Sequence, residues 1–426
     1  MTSLIVERDS ALPIAHFTLA FNQGSLVDPP GKEGASSLLL RLLRRSVPNM
    51  TAPELDRRLD AVGISAGVDV SRSVAALQGT CLARSLDQAA ELVSAMLGQP
   101  PGDEQEFARL KTEALGEWTD SLDNDALVAR RFFSRKVFQQ HPYCRLTSGT
   151  PRSLAQIELD DLRAAYQELV VAEQLRAAFS GDVTATEAER FFERVQSRLV
   201  VDTARPRADE TDPTVPVGRR LCFVDKPQRS QVQILIGGLG AHPKDHDRTA
   251  LYVGNTIFGG TFSARLSHEV RSKRGWSYGA YSQLGHDRRR HSFSMWTFPQ
   301  ASDAAACIAL QLTLLEQFIE RGVSKSELLA AKKYLLNSHA FALDTASKRA
   351  ALALDQDLYD LPPIETFKDR ILAVTLDGVN AAIQNRLSAS NLLVVVLGTA
   401  SEILGPVEAS VGHLATREIL PFDQQD

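Results

Sequence analysis

Cysteine is scarce, with four in 426 residues. Cys81, Cys144, Cys222 and Cys307 lie far apart, and no two stand in a CxxC or other metal-binding spacing. That excludes a zinc ribbon or finger, and a chain of this length needs no disulfide staple. The four read as buried thiols. No run of 18 apolar residues occurs, so the sequence offers no helical membrane span. The N-terminus, MTSLIVERDSALPIAHF, lacks the basic start, apolar core and small-residue cleavage site of a signal peptide. The compartment is therefore open: cytoplasmic as written, periplasmic if such a segment has been trimmed. Basic blocks are also missing. A net charge of -5, a pI near 6.0 and one short run, Arg288 to Arg290, leave no footprint for nucleic acid or an anionic membrane. That run reads as a solvated loop between strands.

What is present is 44% hydrophobic and 23% charged residues, enough for two substantial globular domains. SLIVE and IAHFTLAF read as strands around a turn at Ser10 to Pro13, followed by a Gly- and Pro-rich loop, GSLVDPPGKEG. Ala35 to Arg45 forms a leucine-rich helix. Thr51, with Glu54 three residues on, caps another. Paired strands follow in ISAGVDVSRSVAALQGTCL, then helices through 170 and a strand in AAFSGDV. Residues 201–217 hold prolines and charges without an apolar period and read as a linker between domains at 1–200 and 218–426. Beyond it the pattern restarts. Gly63 in LDAVGISAG falls where Gly275 falls in VRSKRGWSYG, Glu106 aligns with Glu327, and strands ending at Gly181 and Gly398 close the two halves. Two repeats of about 200 residues with mixed strands and helices indicate an α+β unit used twice.

The stretch FGGTFSARLSHEVRSKRGWSYGAYS, 258–282, carries the strongest functional signal. Its first part has near-helical apolar spacing at Ala264, Leu266 and Val270. After Gly275 the alternation predicts a strand with Trp276 and Tyr278 on one face. Arg271, in the last helical turn, and Tyr278 then converge. A guanidinium and a phenol aimed together suit a carbonyl oxygen that gains negative charge. With Asn255, Gly259, Gly260, Ser263, Arg265, Leu266, Arg274 and Gly275, the segment resembles the second half of the inverted-zincin metallopeptidases, the pitrilysin and insulysin family that includes mitochondrial processing peptidase. The resemblance implies two homologous domains, each a mainly antiparallel sheet backed by helices, facing one another around a cavity. It also implies that Arg271 and Tyr278 hold and polarise a peptide beside the zinc.

In that family the first half carries His-x-x-Glu-His on a helix, with a distant glutamate as third ligand. Two histidines at i and i+4 grip one zinc from one helix face, and the glutamate takes a proton from the bound water. Here Gly24, Asp28, Pro29, Gly31, Lys32 and Gly34 fit the preceding loop. Ser37, Leu40 and Arg41 stand at the two histidine positions and the base, and Glu117, 76 residues past Arg41, stands at the third ligand. One ligand position survives and the base is gone. Arg41 places a fixed cation where the metal belongs, so no zinc is expected in this chain, and an Arg41–Glu117 ion pair is the simplest replacement. His242, Asp245 and His246 spell a superficially similar motif, but Pro243 and the surrounding glycines favour a loop, and no third ligand is spaced for it. His141, in HPY, matches a structural turn.

The leading expectation is a zinc-less subunit of a heterodimeric peptidase, whose homologous partner supplies zinc and base while this chain offers Arg271 and Tyr278 to a peptide or unfolded polypeptide. A purely structural scaffold of the same fold is the alternative. An independent enzyme using His242 and His246 is a third reading.

Overall fold

The computed structural model describes residues 3–202 and 211–425. Eleven strands form two sheets. The first sheet uses β1 (Ser3–Arg8), β2 (Ile14–Phe21), β3 (Ser65–Val70), β4 (Ala75–Leu82) and β5 (Leu175–Gly181), in the order β1-β5-β2-β4-β3. The second uses β6 (Arg220–Asp225), β7 (Gln233–Leu239), β8 (Ala280–Leu284), β9 (Ser292–Thr297), β10 (Leu393–Gly398) and β11 (Thr416–Pro421), in the order β11-β6-β10-β7-β9-β8. Without β11 the two orders are the same. β1 runs parallel to β5, as β6 does to β10, and every other pair inside the shared five is antiparallel. The α+β duplication is therefore present strand for strand, and β11 is an addition on the second sheet's edge.

The opening strands do not form a hairpin. β5 inserts between β1 and β2, because the parallel β1–β5 pairing lets the apolar β5 take a central place. Elsewhere local chemistry matches the sequence. Thr51 and Glu54 form a capping box at the helix Ala52–Ala61, and Thr184 and Glu187 form another at Ala185–Gln196.

The chain folds as two compact units. One takes the chain up to Trp118, resumes at Arg145 before the linker and includes Ala340–Ile364; the other takes Thr119–Cys144, the chain beyond the linker to His339 and everything from Glu365. Two helices cross the halves. Asp125–Phe138, from the first half, packs on β7 and β10, while Ala346–Leu358, from the second, packs on β1 and β5. Phe132 and Val137 are fully buried in the former, and Ala350 and Leu354 nearly so in the latter. Burial of these apolar faces, not chain order, decides which unit each helix joins.

Residues 203–210 of the linker lie outside the described residues, and 211–217 form neither helix nor strand. His141 Nε2 bonds to the Thr211 carbonyl at 2.7 Å, which anchors the end of that stretch. All four cysteines are free thiols. Cys81, Cys222 and Cys307 are buried, but Cys144 is only partly so, since it lies in a short turn after the helix Asp125–Phe138. Arg288 to Arg290 do sit between strands, yet they are half-buried, with the Arg289 N–H donating to the Tyr143 hydroxyl at 3.2 Å. No helix among the described residues is long and apolar enough to cross a membrane.

Candidate functional site

In the first unit the loop after β2 is built to start a helix. A Cβ at Gly24 would lie 2.3 Å from the Ser71 carbonyl oxygen, so only glycine fits. Asp28 is buried and accepts from the N–H groups of Gly34 and Ser36, both at 2.9 Å, and from the Ser36 hydroxyl. Burial pushes its carboxyl up to about 6, although those hydrogen bonds favour the ionised form. These bonds satisfy donors that the first turn of Ala35–Leu43 leaves without helical partners. The helix then buries Leu38, Leu39, Leu40, Leu42 and Leu43.

Leu40 is 1% exposed and belongs to the core, whereas Ser37 and Arg41 share the half-exposed face. The structure brings Arg41 and Glu117 together. The guanidinium donates to both carboxylate oxygens, at 2.9 and 2.7 Å, and reaches Glu113 at 3.4 Å. Glu113 is held below the usual carboxylate range by Arg45 and Arg109, and Glu106 continues the ladder along Glu104–Ser121. These residues do not fit a zinc ion: they offer one carboxylate already gripped by a guanidinium, and a leucine where a base would stand.

In the second unit most of the other polar residues of the stretch are structural. Ser282 Oγ donates to Asn255 Oδ1 at 2.7 Å, and the Ser282 N–H donates to the Gly259 carbonyl at 2.9 Å, clamping the end of Arg248–Phe258 to β8. Arg265 pairs with both oxygens of Glu327, at 2.6 and 2.7 Å, and this holds Glu327 down to about 2. Glu269 takes Lys273 and Arg274, at 2.6 and 2.8 Å. Among the described residues no acid pairs with Arg271.

The segment around Arg271 differs from the sequence expectation. Arg265–Ser267 is helical, but His268–Ser272 is a π turn, closed by the Lys273 N–H on the His268 carbonyl at 3.0 Å. β8 begins only at Ala280, so Trp276 and Tyr278 precede the strand and share no strand face. Trp276 packs on the core while Tyr278 is 79% exposed. The cause is Ser277, whose buried hydroxyl donates to the Gly279 carbonyl at 2.6 Å and accepts from the Phe298 N–H at 3.0 Å, replacing ladder bonds with side-chain ones. Arg271 and Tyr278 nonetheless meet. The guanidinium carbon lies 5.1 Å from the Tyr278 ring centre and 3.9 Å from that of Phe262, itself 65% exposed. Among the described residues the side chains of Arg271 and Tyr278 have no hydrogen-bond partner, which leaves their donors free for a ligand. Phe262 escaped the sequence reading; its only signal is an aromatic in a glycine-rich turn, where burial gains little.

His242 and His246 do not make a centre. The His242 N–H donates to Asp245 at 2.8 Å, its Nδ1 accepts from the Lys244 N–H at 3.0 Å, and Asp245 pairs with Arg386 at 2.9 Å. Among the described residues no three His, Cys, Asp or Glu side chains are grouped as a metal ion would need.

Residues 4–151 match the model for insulinase, peptidase family M16, and residues 156–335 match that for the peptidase M16 inactive domain. The chain belongs to the M16 peptidase family. A Helicobacter pylori relative named as the non-peptidase homolog YmxG is 22% identical over 92% of this M16 chain and 91% of its own. A Streptomyces coelicolor relative named as an uncharacterized zinc protease is 23% identical over 92% and 87%. A crystal structure of a peptidase M16 inactive domain from Pseudomonas fluorescens matches with a TM-score of 0.85 at 23% identity, over 94% of this chain and 97% of that one. A protease from Helicobacter pylori matches at 0.82 and 17%, over 92% and 96%. These two likenesses show the M16 fold.

Proposed function

We propose that this M16 chain is the zinc-less subunit of a two-chain metallopeptidase. A homologous partner with an intact His-x-x-Glu-His supplies zinc and general base. Arg271 and Tyr278 donate hydrogen bonds to the backbone carbonyl of a bound peptide and steady the negative charge that develops on it. What carries this reading is the pair of side-chain donors with no acceptor among the described residues, while the neighbouring Lys273 and Arg274 both pair with Glu269. Close to the rings of both Phe262 and Tyr278, the guanidinium is partly positioned before it binds a carbonyl or carboxylate. At the first half, the Arg41–Glu117 pair supports the absence of zinc from this chain.

The test mixes the purified chain with its zinc-bearing homologue and follows an unstructured peptide. Cleavage by the mixture alone, with metal analysis placing the zinc on the partner, is expected. One zinc per molecule of this chain, or cleavage by it unaided, overturns the reading.

A further inference from the structure

Helix Asp125–Phe138 packs on β7 and β10, and over the outer strands β9 and β8 the same sheet face holds a cavity of about 220 Å³. Tyr281 pairs in register with Trp296, and Gln283 with Ser294, so these side chains share that face. Arg130, from the helix, roofs it, its guanidinium carbon 4.4 Å from the Trp296 ring centre. Among the described residues the Arg130 side chain makes no hydrogen bond or ion pair, and no acidic side chain lines the cavity. A guanidinium held over an indole keeps N–H donors that can meet a carboxylate in a matching fork. Gln283, His291 and Ser294 add further hydrogen-bonding groups, while the rings of Tyr281 and Trp296, 6.2 Å apart, offer apolar wall. The volume suits one side chain and is below the usual range for a drug-sized ligand.

The cavity adjoins the segment that carries Tyr278. A Cβ on the next residue, Gly279, would lie 2.5 Å from the Tyr281 ring and 3.0 Å from that of Phe298, whose centre is 5.0 Å from that of Trp296. We propose that this cavity is a carboxylate subsite, in which Arg130 binds an acidic side chain or the C-terminal carboxylate of a peptide and Trp296 and Tyr281 flank the apolar stem. The choice of a peptide as ligand rests on the function proposed above.

The full-length chain is titrated with three peptides of one sequence: glutamate with an amidated C-terminus, glutamine with a free C-terminus, and glutamine with an amidated one. Tryptophan fluorescence and calorimetry report binding. One of the first two should bind about tenfold tighter than the third, a gain typical of a charge-assisted bidentate contact, and the tighter one names the source of the carboxylate. Arg130→Met keeps a straight stem over Trp296 without the charge and should erase the difference. Equal affinities, no binding, or a preference that survives Arg130→Met would overturn the subsite. Failure here is separable from failure of the peptidase role. A preference erased by Arg130→Met, with no effect of Tyr278→Phe on cleavage by the paired chains, keeps the subsite and rejects that role; the opposite pattern does the reverse.

Discussion

Arg41 carries the proposed absence of zinc from the first half, because its guanidinium grips both oxygens of Glu117, the carboxylate that the family motif places at the third-ligand position. Its side chain is 21% exposed and that of Glu117 61%, so the pair contributes only about 0–1 kcal/mol to stability. The consequence is a site that can be rebuilt. Ser37→His with Arg41→His places two imidazoles at i and i+4 beside a glutamate already within reach of position 41, and this double variant should bind cobalt(II) with the absorption of a low-coordinate site. Adding Glu117→Ala should abolish it. Cobalt uptake unaffected by Glu117→Ala would show that Glu117 does not stand at the third-ligand position. The resemblance of the loop and helix to the family motif singled out Ser37, Leu40, Arg41 and Glu117. Glu113 and Arg45 were not legible, because several acids on Glu104–Ser121 have suitable helical spacing and only packing selects which one faces Arg41.

At the scale of elements, the two halves differ by one residue at the point where function is proposed. In the first, the Ile64 N–H bonds to the Leu59 carbonyl, and in the second the Trp276 N–H bonds to that of Val270, one residue longer, while Gly63 and Gly275 both sit at φ +65. The π turn absorbs the extra residue and re-aims Arg271, an arrangement often found at functional sites. The aligned glycines were readable; the insertion was not, because a five-residue turn has no apolar period of its own. Alternation likewise suggested a strand from Trp276, since sequence cannot show that the Ser277 hydroxyl turns inward. The glycines bounding this segment should respond differently. Gly275→Ala meets nothing within 4 Å and costs only left-handed strain, about 1 kcal/mol, whereas Gly259→Ala meets the Ser282 N and Oγ at 2.6 and 2.5 Å and should cost at least about 3 kcal/mol. Urea unfolding of both variants checks this, and equal losses would contradict the clamp between Asn255, Gly259 and Ser282.

For the whole molecule, the repeat was legible because the same strand order forces the same hydrophobic pattern twice. The exchange of Asp125–Phe138 and Ala346–Leu358 was not, since an amphipathic helix does not record which sheet it will cover. β11 escaped for a related reason: with Arg417 and Glu418 near its centre and alternating exposure, it reads as a polar edge. The duplicated frame holds an Arg41–Glu117 ion pair in one half and, in the other, an arginine and a tyrosine whose side chains have no hydrogen-bond partner among the described residues. The measurement that bears most directly on this division of labour is peptide cleavage by the zinc-bearing homologue paired with Tyr278→Phe. The substitution keeps the ring beside Arg271 and removes only the donor, so the complex should assemble as before while turnover falls by roughly 100- to 1,000-fold. Turnover at the unaltered rate from an intact complex would contradict the account and leave the chain a scaffold.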